Sequence, residues 1–513
     1  MSSSPPIDAA PERPPGTGSA GVAISGAATT GVAISGTRSG RPARPWAVLG
    51  STGLAVFAVF LDTTILFVAF PAISADFTGT STSSLSWVLN AYTVVFAALL
   101  IPAGRLADRI GRRRLFLAAV VAFTLASALC GLAPTVGLLV AARVMQAAAA
   151  AALVPSSLAL VLQTFPRDRV PVAVAIWGAV GAVAGAAGPT IGALVVDHLS
   201  WRWAFLINLP VGIVSLVAGR RVLPEGRETQ AGRLPDPFGV VLLAAGLALL
   251  AFAIVQTDEW GWGSGRFAVT VVGSLLLVAV FVERCRRVPV PLLDLGLFRS
   301  RSFSVANLAT VAFAIGFNAM FLGNVLFLTR VWGWTILRAG LAISIGPLIV
   351  AATAPLFGKL AARVGQRRLL VPGGLVWAAG GAWLLAVAET TPSWGTQYLP
   401  ATVLTGLGVS LCLPQLSSAA VQGLPPDRFG SGSAVNQAIR NLGATVGVAL
   451  VVALTAGAVP STALDHFHRV WWLLVASGVI VSATSILLGS PRRAAPAVVS
   501  SAPFDGDESE CQR

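Results

Sequence analysis

The chain has 513 residues, 55% of them hydrophobic and only 11% charged, with a mean hydropathy of +0.79. A soluble domain carries about 25% charged residues, so a soluble enzyme, a disordered protein and a nucleic-acid binder are excluded. The net charge of +14 comes from short arginine clusters between long apolar runs, the pattern of a multi-span membrane protein.

Residues 1–44 are rich in Ser, Gly, Pro, Ala and Thr, and the hexamer Gly-Val-Ala-Ile-Ser-Gly occurs at 21–26 and again at 31–36. They are expected to form a disordered cytoplasmic tail, with no signal peptide. A bilayer core of ~30 Å needs ~20 apolar residues per helix. Segments that meet this lie near 46–72, 85–103, 115–132, 136–163, 171–196, 203–219, 238–256, 267–283, 303–328, 337–357, 369–388, 398–421, 431–457 and 470–489. The spacing predicts an all-α integral membrane protein of fourteen transmembrane helices, since the alternation that a barrel needs is absent. A second disordered tail is expected over 491–513.

Arginine placement predicts the orientation. Most of the 35 Lys+Arg fall in the tails and in the loops after even-numbered segments. Arg202, Arg266, Arg330, Arg338 and Arg469 fall on the opposite side, and Arg143 and Arg440 within helices. By the positive-inside rule both termini are cytoplasmic and the protein is a multi-pass protein of the cytoplasmic membrane.

The chain also repeats itself. Gly104-Arg-Leu-Ala-Asp-Arg-Ile-Gly-Arg-Arg-Arg-Leu115 recurs as Gly358-Lys-Leu-Ala-Ala-Arg-Val-Gly-Gln-Arg-Arg-Leu369, and Asp168-Arg169 recurs as Asp427-Arg428. The first six helices therefore match the last six, giving six-helix bundles over 45–222 and 301–490 with an insert of two helices over 223–300. Parallel six-helix repeats are a transporter architecture.

Asp62 is the one acid well inside any of these segments, among Phe57, Phe60, Ile65, Leu66 and Phe67. A carboxylate in a membrane helix costs roughly 2.5–3.5 kcal/mol, so its default reading is functional. Its apolar neighbours favour the neutral acid, whereas an approaching Arg143 or cationic substrate favours the ion. At ~1.5 Å per residue, Asp62 and Arg143 lie within about one helical turn of the same depth, close enough for direct or water-mediated contact.

The chain resembles the major facilitator superfamily, in its fourteen-helix drug:proton antiporter branch. Gly104 to Arg114 closely matches the superfamily loop G-x-L-A-D-R-x-G-R-R. Leu61-Asp62-Thr63-Thr64-Ile65-Leu66-Phe67-Val68-Ala69-Phe70-Pro71 is similar to the branch's first-helix motif, with Phe67 where the family has Asn. Arg143-Val-Met-Gln146 followed by Pro155 is similar to the fourth-helix pattern, and Gly188-Pro189-x-x-Gly192 to the antiporter signature, with Ala184 and Ala193 at positions where the family has Gly. Trp201-Arg-Trp-Ala-Phe-Leu-Ile-Asn208-Leu-Pro210 is characteristic of the branch and reads as an interfacial anchor.

The resemblance implies the major facilitator fold and proton-coupled export of hydrophobic, amphipathic or cationic drugs by alternating access, from a chain that works as a monomer. It implies proton coupling by Asp62 and Arg143, a conformational latch at Gly104, Asp108, Arg109, Gly111 and Arg113, and an antiporter helix lined by Gly181, Gly185, Gly188, Pro189 and Gly192. Tyr92, Gln146, Asn318, Asn324, Gln415, Asn436 and Arg440 are the polar candidates for the substrate cavity. Export of one endogenous metabolite, or a regulator that has kept the fold without transport, are the alternative readings.

No cofactor is expected, the proton gradient being the energy source. The single lysine, Lys359, is followed by Leu360, so a phosphate loop is absent. His198, His466 and His468, with Cys130, Cys285, Cys412 and Cys511, have no metal-ligand spacing.

Overall fold

The computed structural model describes residues 45–166, 169–224, 236–422, 424–425, 428–457 and 462–488. The two tails and the acids Asp168 and Asp427 lie outside them. Among these described residues, fourteen helices are long and apolar enough to cross a membrane. In the first half they are α1 (Pro45–Asp76), α2 (Thr82–Ile110), α3 (Arg112–Gly131), α4 (Val136–Thr164), α5 (Val170–His198) and α6 (Trp203–Val222). Two further helices follow, α7 (Pro237–Val255) and α8 (Gly265–Arg287). The second half holds α9 (Arg301–Val331), α10 (Ile336–Val364), α11 (Arg367–Val387), α12 (Trp394–Gln422), α13 (Phe429–Thr455) and α14 (Ala463–Ile486).

Local chemistry sets several of the boundaries. Ser81, Thr135, Ser264 and Thr335 each accept a hydrogen bond from a backbone N–H in the first turn of α2, α4, α8 and α10, satisfying a donor that the helix cannot. Gly111 ends α2 at φ 107° and Gly365 ends α10 at φ 87°. Both positions need the left-handed region that glycine adopts without a Cβ penalty, and they are equivalent residues of the repeated loop.

The packing repeats as well. α1 packs on α4, α5 and α6, while α4 also packs on α2 and α3, and α3 on α6. In the second half α9 packs on α12, α13 and α14, α12 on α10 and α11, and α11 on α14. Adding eight to each helix number of the first set gives the second. The halves meet where α2 lies against α13 and α5 against α10, two contacts that the same operation exchanges. These are two pseudo-symmetric six-helix bundles, the arrangement that the sequence repeat predicts.

The inserted pair forms a hairpin, with Ser274 Oγ donating to the Gly246 carbonyl at 2.8 Å. Its helix α7 packs on both α2 and α13, bracing one of the two seams between halves. Helix α8 turns Val269, Val272, Leu275, Leu276 and Val280 outward, each more than half exposed, as a surface solvated by lipid requires.

Contacts between the halves gather toward the end away from the Gly104–Arg114 loop. Thr445 Oγ1 donates to Thr93 Oγ1 at 2.8 Å, and the Thr190 and Ser344 hydroxyls share a hydrogen bond of 2.6 Å. Phe67 and Phe321 meet with ring centroids 5.3 Å apart. A Cβ on Gly340 would come within 2.7 Å of the Pro189 carbonyl, so glycine is what lets α10 approach α5 there. The described hydrogen bonds and ring contacts between the halves thus lie toward the far end.

Candidate functional site

Asp62 is only 2% exposed, and side chains from two other helices converge on it. Arg143 of α4 donates from Nη1 to Oδ2 at 2.6 Å. Gln146, one turn further along α4, donates from Nε2 to Oδ1 at 2.8 Å. Asn208 of α6 donates from Nδ2 to the same oxygen at 2.9 Å. Asp62 thus accepts three hydrogen bonds, the pattern that suits an ionised carboxylate.

The supporting groups are also buried. Arg143 is 1% exposed. Its Nη1 also donates to Gln146 Oε1 at 2.6 Å, and its Nε donates to the Val88 carbonyl at 3.1 Å. Its guanidinium carbon lies 4.1 Å from the centroid of the Tyr92 ring, a cation–π geometry. Ser127 of α3 accepts from Gln146 at 2.8 Å. A buried ion pair of this kind is worth little net stability against an apolar replacement, but removal of one partner costs about 3–5 kcal/mol. The cluster ties together α1, α2, α3, α4 and α6.

The remaining sequence candidates disperse. Gln146 belongs to the Asp62 cluster and Tyr92 lies beneath Arg143. Asn436 is internal to the second half, donating to Asn307 Oδ1 at 3.0 Å and Thr310 Oγ1 at 3.2 Å. Asn318 donates back to the Ala314 carbonyl at 2.9 Å. Asn324 is half-buried near the far end, and Gln415 is buried with an unpartnered Nε2. Arg440 is half-buried on α13 and donates to the Gln437 side-chain carbonyl.

The glycine line of α5 is divided. A Cβ on Gly181, Gly188 or Gly192 would meet Phe60, Thr64 or Ile65 of α1 at 3.3 Å or less, so these three allow close α1–α5 packing. Gly185 faces open space and stands apart from that contact. Pro189 supplies the carbonyl that Gly340 approaches from α10.

At the loop, Asp108 pairs within its own half: Arg112 donates to its Oδ1 from Nε at 3.1 Å and from Nη2 at 3.0 Å. Arg113 donates to the Arg220 carbonyl at 2.9 Å. Gly104 faces Pro155 of α4, its Cβ position 3.8 Å from that ring, and Arg109 is exposed in the last turn of α2.

Asn208 and Ser127 were missed from sequence. Asn208 sits in a segment read as an interfacial anchor, and that reading holds only for its start. Trp201 Nε1 donates to Asp76 Oδ2 at 2.9 Å and Arg202 pairs with the same carboxylate at 2.8 Å, while Asn208, two turns deeper, is fully buried. Trp377, at 0% exposure, donates to Ser477 Oγ at 2.9 Å in the core of the second half. Among the described residues no group of His, Cys, Asp and Glu could hold a metal ion.

A family model described as Major Facilitator Superfamily matches residues 52–282 and 308–505. The chain is 34% identical over 423 residues to the tetracenomycin C resistance and export protein of Streptomyces glaucescens, covering 82% of this chain and 78% of that one. It is 35% identical to the multidrug resistance protein Stp of Mycobacterium tuberculosis, covering 82% of this chain and 77% of that one. It is also 35% identical to the puromycin resistance protein pur8 of Streptomyces alboniger, covering 83% and 84%. Among solved structures, a D-xylose-proton symporter superposes with a TM-score of 0.64 at 14% identity, covering 87% of this chain and 98% of that one. A POT peptide transporter does so with a TM-score of 0.62 at 16% identity, covering 87% and 96%. At such identities these two likenesses speak for the fold.

Proposed function

Since the chain belongs to the major facilitator superfamily, a family of transporters, we propose that it is a proton-coupled antiporter that exports drugs or antibiotics across the cytoplasmic membrane. Relatives covering most of its length are named for resistance to, or export of, such compounds, which supports that substrate class. The arginine distribution supports an orientation with the Gly104–Arg114 loop and both termini in the cytoplasm. In that orientation the packed seam between the halves lies toward the outer side, which supports a conformation that loads substrate from the cytoplasm. A substrate site between the two halves of one chain would need only a monomer.

The observation that carries the coupling is the closed set of donors on Asp62. As an ion, Asp62 satisfies Arg143, Gln146 and Asn208 together. A proton arriving on the carboxylate cancels the ion pair with Arg143 and weakens an acceptor on which three groups already donate. Arg143 is then a buried cation without a counter-ion, a state that costs several kcal/mol. That differential is of the size needed to shift a two-state equilibrium from one side of the membrane to the other. Proton entry and loss at Asp62 would thus bias which end of the protein is open.

The loop contributes in the opposite conformation. Asp108 faces its own half here, so its proposed latch to the second half forms when the cytoplasmic end closes.

The deciding experiment is drug uptake into everted membrane vesicles under an imposed pH gradient. Accumulation that collapses with the gradient supports antiport. Accumulation indifferent to the gradient, or none for any compound of a broad drug panel, rejects it.

A further inference from the structure

We propose that the substrate carries an anionic group, a carboxylate or phenolate on an aromatic frame, and that Arg440 receives it in the cavity open to the cytoplasm. The inference deepens the export reading and rests on it for the identity of the cavity as a substrate site.

The argument begins with two intramembrane arginines in opposite circumstances. Both stay charged, because a guanidinium is not deprotonated in proteins. Arg143 has Asp62 at 2.6 Å. Arg440 has no carboxylate within 4 Å among the described residues, and its side-chain hydrogen bond goes to the neutral amide of Gln437. With Asp62 already balanced by Arg143, Arg440 is a positive charge within the spanning helices that no acid among the described residues matches. It lies about 16 Å along α13 from the loop end, where an arginine costs roughly 2.5–3.5 kcal/mol. An incoming anion would supply the missing counter-charge.

Position on α13 places this charge toward the cavity. Asn436, Gly443 and Gly447 share one edge of the helix at 3.6 residues per turn, and that edge meets α9: Asn436 bonds Asn307, while the glycines press on Val311, Ala314 and Ile315. Thr445 marks the opposite edge, against Thr93 of α2. Between these edges, one side of α13 carries Val435, Ile439, Leu442 and Val446, which suits lipid and the packed α7. The other side carries Ser433, Gln437, Arg440 and Asn441, all partly or fully exposed. A polar, accessible strip at this depth must line a water-filled space.

The aromatic frame rests on Phe317 of α9, a half-buried ring that meets the buried Phe321 at 6.0 Å, which in turn meets the buried Phe67 of α1 at 5.3 Å. Phe317 lies about 8 Å deeper than Arg440 by helix rise, a distance that a fused two-ring acid spans. A planar anion can engage the guanidinium fork with two parallel hydrogen bonds while its ring stacks beneath the phenylalanines.

The test uses the full chain in lipid nanodiscs, with empty nanodiscs as the blank, and three probes sharing one ring system: naphthoate, naphthylmethanol and naphthylmethylamine. Binding is read by probe fluorescence without any pH gradient, so its outcome is independent of whether transport is proton-driven. Naphthoate should bind at least about tenfold tighter than the amine, with the alcohol between them. Arg440→Gln should weaken naphthoate about tenfold, a loss of ~1.4 kcal/mol, and leave the alcohol unchanged, while Arg440→Lys should retain part of the preference. The comparison of the three probes on the unaltered protein needs no variant to fold. Equal or tighter binding of the amine, no binding of naphthoate, or an unchanged naphthoate affinity in Arg440→Gln overturns the assignment.

Discussion

Asn208 Nδ2 and Asp62 Oδ1 lie 2.9 Å apart although they are 146 residues apart in the chain. The bond carries α6 into the acid cluster and completes the set of donors around the carboxylate. It makes Asn208 a positioning residue for Asp62 and extends the coupling group beyond the Asp62–Arg143 pair. Truncation to Asn208→Ala removes one hydrogen bond to a charged group, worth about 1.5–3 kcal/mol. Proton-driven efflux should fall at least about tenfold, with unchanged amounts of protein in the membrane.

Asp62→Asn keeps the shape of the side chain and removes its charge. Proton-driven accumulation in everted vesicles should be abolished, whereas downhill exchange of substrate should persist. Asp62→Glu should retain activity with a displaced pH optimum. Accumulation against a gradient by Asp62→Asn would make the residue structural.

The loop acid separates stability from mechanism. Asp108 and Arg112 are 31% and 22% exposed, and such pairs contribute less than about 1 kcal/mol. Asp108→Asn should therefore leave the melting temperature within about 2 °C for a protein of this size yet impair transport. Unimpaired transport would show that the loop serves topology alone.

The seam at the far end can be locked. The Thr190 and Ser344 hydroxyl oxygens are 2.6 Å apart, so the Thr190→Cys, Ser344→Cys pair is within disulfide reach. Cys130, Cys285 and Cys412 are buried, which limits mispairing, and Cys511, outside the described residues, is replaced by Ser in the test protein. Oxidation should stop transport and reduction should restore it. Full transport by the verified cross-linked protein would mean that this seam never opens.

The inserted hairpin has its own pH signature. The Arg284 guanidinium holds the Asp236 carboxyl below the usual carboxylate range, helped by the Gly239 and Phe238 N–H groups that it caps. A carboxylate depressed in the folded state stabilises above its unfolded value of about 3.9, and the benefit is lost as pH falls through the folded value. Asp236→Asn should lower the melting temperature at pH 7, and the gap from the unaltered protein should close below about pH 4. A gap independent of pH would place the effect in helix capping alone.

Much of this protein was decided along the chain itself. Twenty-residue apolar runs, the repeated Gly104 and Gly358 loops and the lone membrane acid are local properties, because a bilayer demands helices of a set length and penalises each buried charge separately. Helix count, pseudo-symmetry and the matching depths of Asp62 and Arg143 could all be read without coordinates. What followed from packing could not. Asn208 looks like part of an interfacial anchor until the turn of α6 carries it two turns inward to Asp62. Gln146 looks like a cavity residue until the rotation of α4 points it at the same carboxylate. Gly181, Gly185, Gly188 and Gly192 look equivalent by spacing, yet the crossing of α1 over α5 touches only three of them. Where the halves touch, and that Arg143 has an acid while Arg440 has none among the described residues, depend on helix rotation and on contacts between distant segments. A one-dimensional pattern records how polar a position is; only the tertiary structure decides which neighbour satisfies it.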